Sequence, residues 1–473
     1  MNNRRRWLAL YVLCAGELMI VLDTTIVNVA LPSIRESLRF TETSLVWVVN
    51  AYLLTYAGFL LLGGRLGDLF GHRRLFLYGI ALFTAASLAC GLSGSQALLV
   101  GARAVQGLGG AVVSAIALSL IMDLFTEPGE RAKAMGVYGF VCAGGGSLGV
   151  LAGGVLTSAA GWHWVFLVNL PIGIAVYALC RSLIAQTGAQ ALAGRLDIGG
   201  AATVTTSLML AVYAIVNGND AGWGSARTLG LLAAAAVLAA VFLLIESRVR
   251  NPLMPLRLFR LRNLSTANVV GALWAAAMFA WFFISALYMQ LVLGYSAMQI
   301  GLAFLPANLI MAAFSLGLSA KLVIRFGIRL PLAAGLALSA AGLALFALSP
   351  ADGSFALHVL PAMILLGVGC GMALNPVLLA AMNDVAQDES GLASGVVNTA
   401  FMMGGALGLA VLASLADARS SSLAASGVDA PAALTAGYHA AFIAATLFAA
   451  VAAALSALLL REKRRGPALE GVY

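Results

Sequence analysis

Along its whole length the chain alternates between long apolar runs and short polar joints. Unpaired backbone amides are not tolerated in hydrocarbon, so an apolar run of about 20 residues predicts a helix that crosses a membrane. Fourteen such runs are read: Leu8–Leu31, Leu45–Leu62, Leu75–Leu92, Ala97–Met122, Ala134–Leu156, Val165–Ile184, Ile198–Val216, Thr228–Ile245, Thr266–Val292, Met298–Leu322, Ile328–Leu348, Ala356–Met382, Leu392–Ala416 and Tyr438–Leu460. The joints carry turn signals such as SGSQ, TEPGE, NGNDAGWG and SPADG. The predicted fold class is therefore an all-α integral membrane protein.

Composition agrees. With 62% hydrophobic and 10% charged residues in 473, and a mean hydropathy of +0.97, there is too little polar side chain to coat a soluble surface. The net charge of +8 sits mainly in short loops on one side: Arg4 to Arg6, His72 to Arg74, Arg131 with Lys133, Arg248 to Arg262, and the terminal REKRR. The other side has Arg35, Arg39, Arg227 and Arg419. Basic loops favour the cytoplasm, so both termini are expected there, in the cell's cytoplasmic membrane. The charge thus serves topology, and no nucleic-acid partner is expected. The first span has no small-residue cleavage site and reads as a retained helix. Cys14, Cys90, Cys142, Cys180 and Cys370 lie in apolar runs without paired spacing, which indicates neither a disulfide framework nor a metal site, and no cofactor is expected.

Energy and chemistry narrow further. None of the three lysines is preceded by glycine, so no GxxxxGK[ST] loop exists and ATP is not the fuel. The spans show no HExxH, metal cluster or nucleophile elbow, which argues against an enzyme, and the tail after Leu460 is short for a signalling module.

Ionisable residues at membrane depth are few: Glu17 and Asp23 in the first span, Arg103 in the fourth, and Asp123 at its inner end. Each costs about 2.5–3.5 kcal/mol at a helix centre, so such groups face a partner or a wet cavity. At ~1.5 Å per residue, Asp23 and Arg103 lie at similar depth and are expected to meet, whereas Glu17 lies about 9 Å deeper. A carboxyl facing a cation in low dielectric is pulled both ways, by burial and by the cation, so a change in water access moves its proton. A fixed structural ion pair is the alternative.

An internal echo divides the chain. GRLGDLFGHR (Gly64 to Arg73) follows the second span, and AKLVIRFGIR (Ala320 to Arg329) holds the corresponding place in the second half once two central spans are set aside. The expected division is a six-helix bundle at 1–186, two inserted helices at 187–250 and a second six-helix bundle at 251–473. Transporters are often built from such repeats.

LDTTIVNVALP (Leu22 to Pro32), GGRLGDLFGHRR (Gly63 to Arg74), RAVQGLGGA (Arg103 to Ala111), GGSLGVLAGG (Gly145 to Gly154), GWHWVFLVNLPIG (Gly161 to Gly173) and GLASGVVNTAFMMGGALG (Gly391 to Gly408) form an ordered set. Together they resemble the major facilitator superfamily, and more closely its fourteen-span drug:proton antiporters. That resemblance implies a proton-coupling acid at Asp23 and a proton-relay or cavity arginine at Arg103; Glu17, from its depth alone, reads either as a further protonation or cation-binding site or as a neutral, hydrogen-bonding acid. It also implies a conformational latch of Gly64, Asp68, Gly71, Arg73, Asp123 and Arg131, and helix packing through Gly145, Gly149, Gly153 and Gly154. Three positions depart from the pattern: Val150 stands where proline is usual, and His72 and His163 where arginine is usual. In the second-half copy, Ile324 stands opposite Asp68.

The expected cargo is an amphipathic small molecule, cationic ones included, moved against protons by a monomer in the bilayer. Asn28, Gln106, Trp281, Tyr288, Gln290, Asn308 and Asn375 are candidate cavity residues, although the aromatic group from Trp274 to Tyr288 equally suits a lipid-facing belt. An exporter dedicated to one metabolite, lipid or self-made antibiotic is the rival reading.

Overall fold

A computed structural model describes residues 3–125, 127–184, 197–249, 252–314, 318–382, 385 and 390–461. Among them the chain forms helices α1 (Asn3–Leu38), α2 (Glu42–Phe70), α3 (His72–Gly91), α4 (Gln96–Leu124), α5 (Pro128–Ala160), α6 (Trp164–Leu167) and α7 (Asn169–Leu183). Then come α8 (Ile198–Val216), the short α9 (Gly218–Ala221) and α10 (Ala226–Arg248). The last set is α11 (Arg262–Leu287), α12 (Ala297–Ala313), α13 (Ser319–Phe326), α14 (Arg329–Ala347), α15 (Leu360–Met382), α16 (Ser390–Ala425) and α17 (Ala430–Leu459).

The polar joints act as helix caps. Thr41 and Ser44 form a reciprocal capping box at the start of α2, and Ser296 with Gln299 does the same for α12. Ser95, Asp197 and Ser225 cap α4, α8 and α10 through their side-chain oxygens. The two echo loops turn alike: Gly71 has φ +89° and Gly327 φ +78°, a conformation that only glycine adopts without steric cost.

Helices α1 to α7 pack into one bundle and α11 to α17 into another. The second helix of the first bundle (α2) crosses α16, the fifth of the second, while α5, fifth of the first, crosses α12, second of the second. This reciprocity is the structural form of the sequence echo. Helices α8 and α10 pair with each other and lean on α2 and α16. Only 17% of the apolar window of α10 is buried, against 67% for α1, so the inserted pair lies at the periphery.

Twelve helices among the described residues are long and apolar enough to cross a membrane. The other two predicted spans fall on α5, whose described apolar stretch is Leu148–Ala160, and on α12, 17 residues long. Val150 leaves α5 free of internal proline, and α5 runs unbroken through 33 residues. The aromatic group of α11 faces the bundle and not lipid. Trp274, Trp281, Phe283 and Tyr288 are at most 1% exposed, and Trp281 packs edge-on to Phe304 at 5.9 Å.

Candidate functional site

The first bundle closes around Asp23. Halfway along α1, its carboxylate is fully buried and accepts from three side chains on two other helices. Arg103 Nη1 donates to Oδ2 at 2.5 Å, and Gln106 Nε2 and Asn169 Nδ2 donate to Oδ1 at 2.8 and 3.0 Å. Arg103 and Gln106 are three apart on α4, which places both on the face turned to α1. Charge-assisted bonds of this kind are short and strong.

Arg103 is itself enclosed. Its Nε donates to the Val48 carbonyl at 2.9 Å, Nη1 also donates to Gln106 Oε1 at 2.7 Å, and the guanidinium lies 4.3 Å from the Tyr52 ring centre. Ser87 accepts from Gln106 at 3.2 Å and from Asn169 at 3.0 Å, and donates to the Phe166 carbonyl at 2.8 Å. One polar knot thus ties α1, α2, α3, α4, α6 and α7. With Asp23 at 0% and Arg103 at 1% exposure, it is buried, and its two charges compensate each other. Removing either partner strands a buried charge.

Glu17, 5% exposed and about 9 Å away along α1, has different company. Ser114 donates to its Oε1 at 3.2 Å and the Tyr138 hydroxyl is a second partner. No ion pair with a described cation holds it. The site therefore combines a compensated carboxylate with a carboxyl whose ionisation no neighbouring cation offsets.

The structure describes several of the residues named for the latch. Gly71 supplies the turn between α2 and α3, donating to the Gly67 carbonyl at 2.9 Å. His72 Nδ1 and Asp123 Oδ2 meet at hydrogen-bonding distance, 2.9 Å, and Arg73 donates to the Arg181 carbonyl at 2.7 Å. The side chains of Asp68 and Arg131, and the surroundings of Gly64, lie outside the described residues. Gly71→Ala is expected to cost about 1 kcal/mol by forcing a Cβ into the left-handed region, seen as a lower melting temperature.

The glycine set serves two partners. A Cβ at Gly149 would lie 2.9 Å from the Leu22 carbonyl oxygen, and one at Gly153 2.7 Å from that of Ile26, so both seat α5 on α1; Gly145 faces Leu18 and Val21. Gly154 faces the other bundle, where its Cβ would stand 3.5 Å from the Gly301 Cα. Gly149→Val is expected to destabilise the fold by about 1–3 kcal/mol through overpacking against α1, measured by thermal denaturation in detergent.

The candidate cavity residues scatter. Gln106 belongs to the Asp23 knot. Asn28 and Asn308 donate to the Thr24 and Phe304 carbonyls of their own helices, and Tyr288 donates to the Pro350 carbonyl at 2.7 Å. Trp281 is packed in the core and Asn375 is half-buried on α15. Gln290 lines a recess of about 370 Å³ with Pro32, Arg35, Glu36, Arg39, Phe40 and Leu291, at the end of α1 away from its start. His163 stacks on Trp162 at 3.8 Å, and burial lowers its pKa, so it is neutral at neutral pH. Sequence reasoning missed Asn169, Ser87 and Ser114. Asn169 stood inside the GWHWVFLVNLPIG motif and carried the only available signal.

Comparison with known proteins agrees with this architecture. The chain is 39% identical to the puromycin resistance protein of Streptomyces alboniger, over 96% of this chain and 90% of that one. It is 37% identical to the cephamycin export protein CmcT of Amycolatopsis lactamdurans, over 97% and 93%. It is 36% identical to the multidrug resistance protein Stp of Mycobacterium tuberculosis, over 87% and 76%. A solved bacterial homologue of the human lysosomal transporter Spinster, inward-facing and unoccupied, superposes with a TM-score of 0.70 at 17% identity, covering 97% of this chain and 98% of that one. Residues 13–409 match the profile of the Major Facilitator Superfamily, and the chain belongs to that superfamily of membrane transporters.

Proposed function

We propose that this transporter is a proton-coupled antiporter that exports amphipathic drugs or antibiotics across the cytoplasmic membrane, with both ends of the chain in the cytoplasm. The observation that carries the reading is the buried Asp23–Arg103 knot with the uncompensated Glu17 beside it on one helix. A fully apolar path would need neither. The export named for CmcT, and the antibiotic and multidrug resistance named for the other two relatives, support the direction of transport and the class of cargo.

In this reading Asp23 stays paired with Arg103, and Glu17 carries the exchangeable proton. Cargo entering between the bundles opens water access to α1, and Glu17 releases its proton. The new anion competes with Asp23 for Arg103. Because Gln106 and Asn169 share Asp23, that competition shifts α1 against both α4 and α7. The bundles then rock about their two reciprocal crossings, α2 on α16 and α5 on α12. The latch of His72, Asp123 and Arg73, with Asp68, Gly64 and Arg131, holds one end state.

Purified protein in liposomes with an imposed pH gradient tests this. Uphill movement of a cationic dye is expected, abolished by protonophore; movement that ignores the gradient refutes coupling. Two of the relatives are named for one antibiotic each, which favours a narrower exporter as the second reading. Mutual competition among unrelated cargoes supports a broad pump, and its absence supports the dedicated exporter.

A further inference from the structure

The inserted helices hold two acids that the export cycle above does not use. Asp197 caps the start of α8, and Glu246 lies in the last turn of α10. Both are more than nine-tenths buried, at 6% and 3% exposure. One oxygen of each is accounted for: Asp197 Oδ1 accepts from the Gly200 amide at 2.7 Å, and Glu246 Oε2 accepts from the Met254 amide at 2.9 Å. The other two, Asp197 Oδ2 and Glu246 Oε1, are buried without a donor. They face the same point. A Cβ placed on Gly200 would lie 2.6 Å from Oδ2 and 2.9 Å from Oε1, so the absence of a side chain there leaves the gap in which the two carboxyls come within hydrogen-bonding reach.

Two bare carboxylate oxygens cannot bond to each other, and two like charges at that separation in a dry site repel by several kcal/mol. Helix α8 contributes Asp197; α10 contributes Glu246 and, two residues on, Arg248, whose side chain is exposed; and the linker contributes the Met254 amide with the Leu253 amide as a second backbone partner of Glu246. The α2 face nearby presents Leu62, packed on Ala201 and Leu253. Neither acid takes part in a described ion pair.

We infer that the inserted pair carries its own proton-binding site, one hydrogen ion shared between Asp197 Oδ2 and Glu246 Oε1. The shared proton fastens the start of α8 to the end of α10. Through the Met254 amide it also fastens both to the linker that enters the second bundle. Loss of the proton sets the two anions against each other and frees that linker. The inserted helices thereby become a proton-responsive strap between the bundles.

Infrared difference spectroscopy on full-length protein in lipid at neutral pH reads this directly. Wild type minus Glu246→Gln is expected to show the loss of one protonated-carboxyl C=O stretch that shifts in D2O. Asp197→Asn is expected to remove the same band while keeping a competent helix cap. Loss of ionised-carboxylate bands alone would overturn the inference. It would mean that both acids are anions held by a cation, for which Arg195, Arg248 and Arg250 are the sequence neighbours to substitute. Stability gives a second reading. The folded chain retains a proton that the unfolded chain releases above the ordinary carboxylate range, so the melting temperature of wild type falls as pH rises toward and past neutral. In Glu246→Gln, whose amide donates permanently, that part of the slope disappears. An unchanged slope contradicts the shared proton.

Discussion

Asp23→Asn is expected to abolish export driven by an imposed pH gradient while leaving folded protein in the membrane. The amide matches the carboxylate in shape, and its oxygen still accepts from Gln106 or Asn169. It cannot offset the Arg103 charge, which remains fully buried behind Val48 and Tyr52. The Asp23–Arg103 bond also closes a knot that joins six helices, so its loss lowers stability as well as activity. Arg103→Ala is the harsher change. It strands the Asp23 anion with only two neutral donors, and loss of one partner of a buried pair costs about 3–5 kcal/mol. Asp23→Asn combined with Arg103→Gln, which removes both charges together, is expected to recover much of that stability without recovering coupled transport. Thermal denaturation and transport, measured on the same preparations, separate the two effects. If the double variant were no more stable than the worse single one, the charges would not be acting as a pair.

Glu17→Gln carries the second large effect. Gln keeps a hydrogen-bonding partner for Ser114 but cannot release a proton. The variant is expected to fold and bind cargo, to equilibrate it down a concentration gradient, and to lose accumulation against one. Wild-type transport is expected to depend on pH, and the variant's to be flat across the same range. Because Glu17 has no described ion pair, its substitution leaves no stranded charge, and little stability is lost. The contrast with Arg103 follows from that difference in surroundings: one group is part of a compensated pair, the other an acid held by hydroxyls. A fully active, gradient-driven Glu17→Gln protein would remove this residue from the cycle and leave Asp23 as the exchanging acid.

Much of this was legible in the letters because lipid imposes coarse rules. Apolar runs of the required length, joined by capping residues and glycine turns, located the membrane-crossing helices of the two bundles, although several helices run five to nine residues past the predicted ends. Helical rise alone brought Asp23 and Arg103 to one depth. Gly71 and Gly327, aligned by the sequence echo, both adopt positive φ. The gaps have a common cause, since they concern which faces meet. Asn169 reaches Asp23 across 146 residues of chain, and no local pattern distinguishes it from an asparagine that turns back on its own helix, as Asn28 and Asn308 do. Depth does not fix rotation, so polar and aromatic residues within the spans were named as cavity candidates although most of them turn to their own helices or the core. Asp197 and Glu246 sit at span ends, where acids are ordinarily solvated. Their burial is set by the packing of Leu62, Ala201 and Leu253, which the sequence does not reveal.

The central claim is that cargo and proton compete through α1. It is tested most directly by adding a transported cation to purified, weakly buffered protein and following pH. Wild type is expected to release protons on cargo binding, and Glu17→Gln to release none while still binding. Cargo binding to wild type with no proton release at any pH, together with undiminished transport after the gradient is collapsed, would contradict the account.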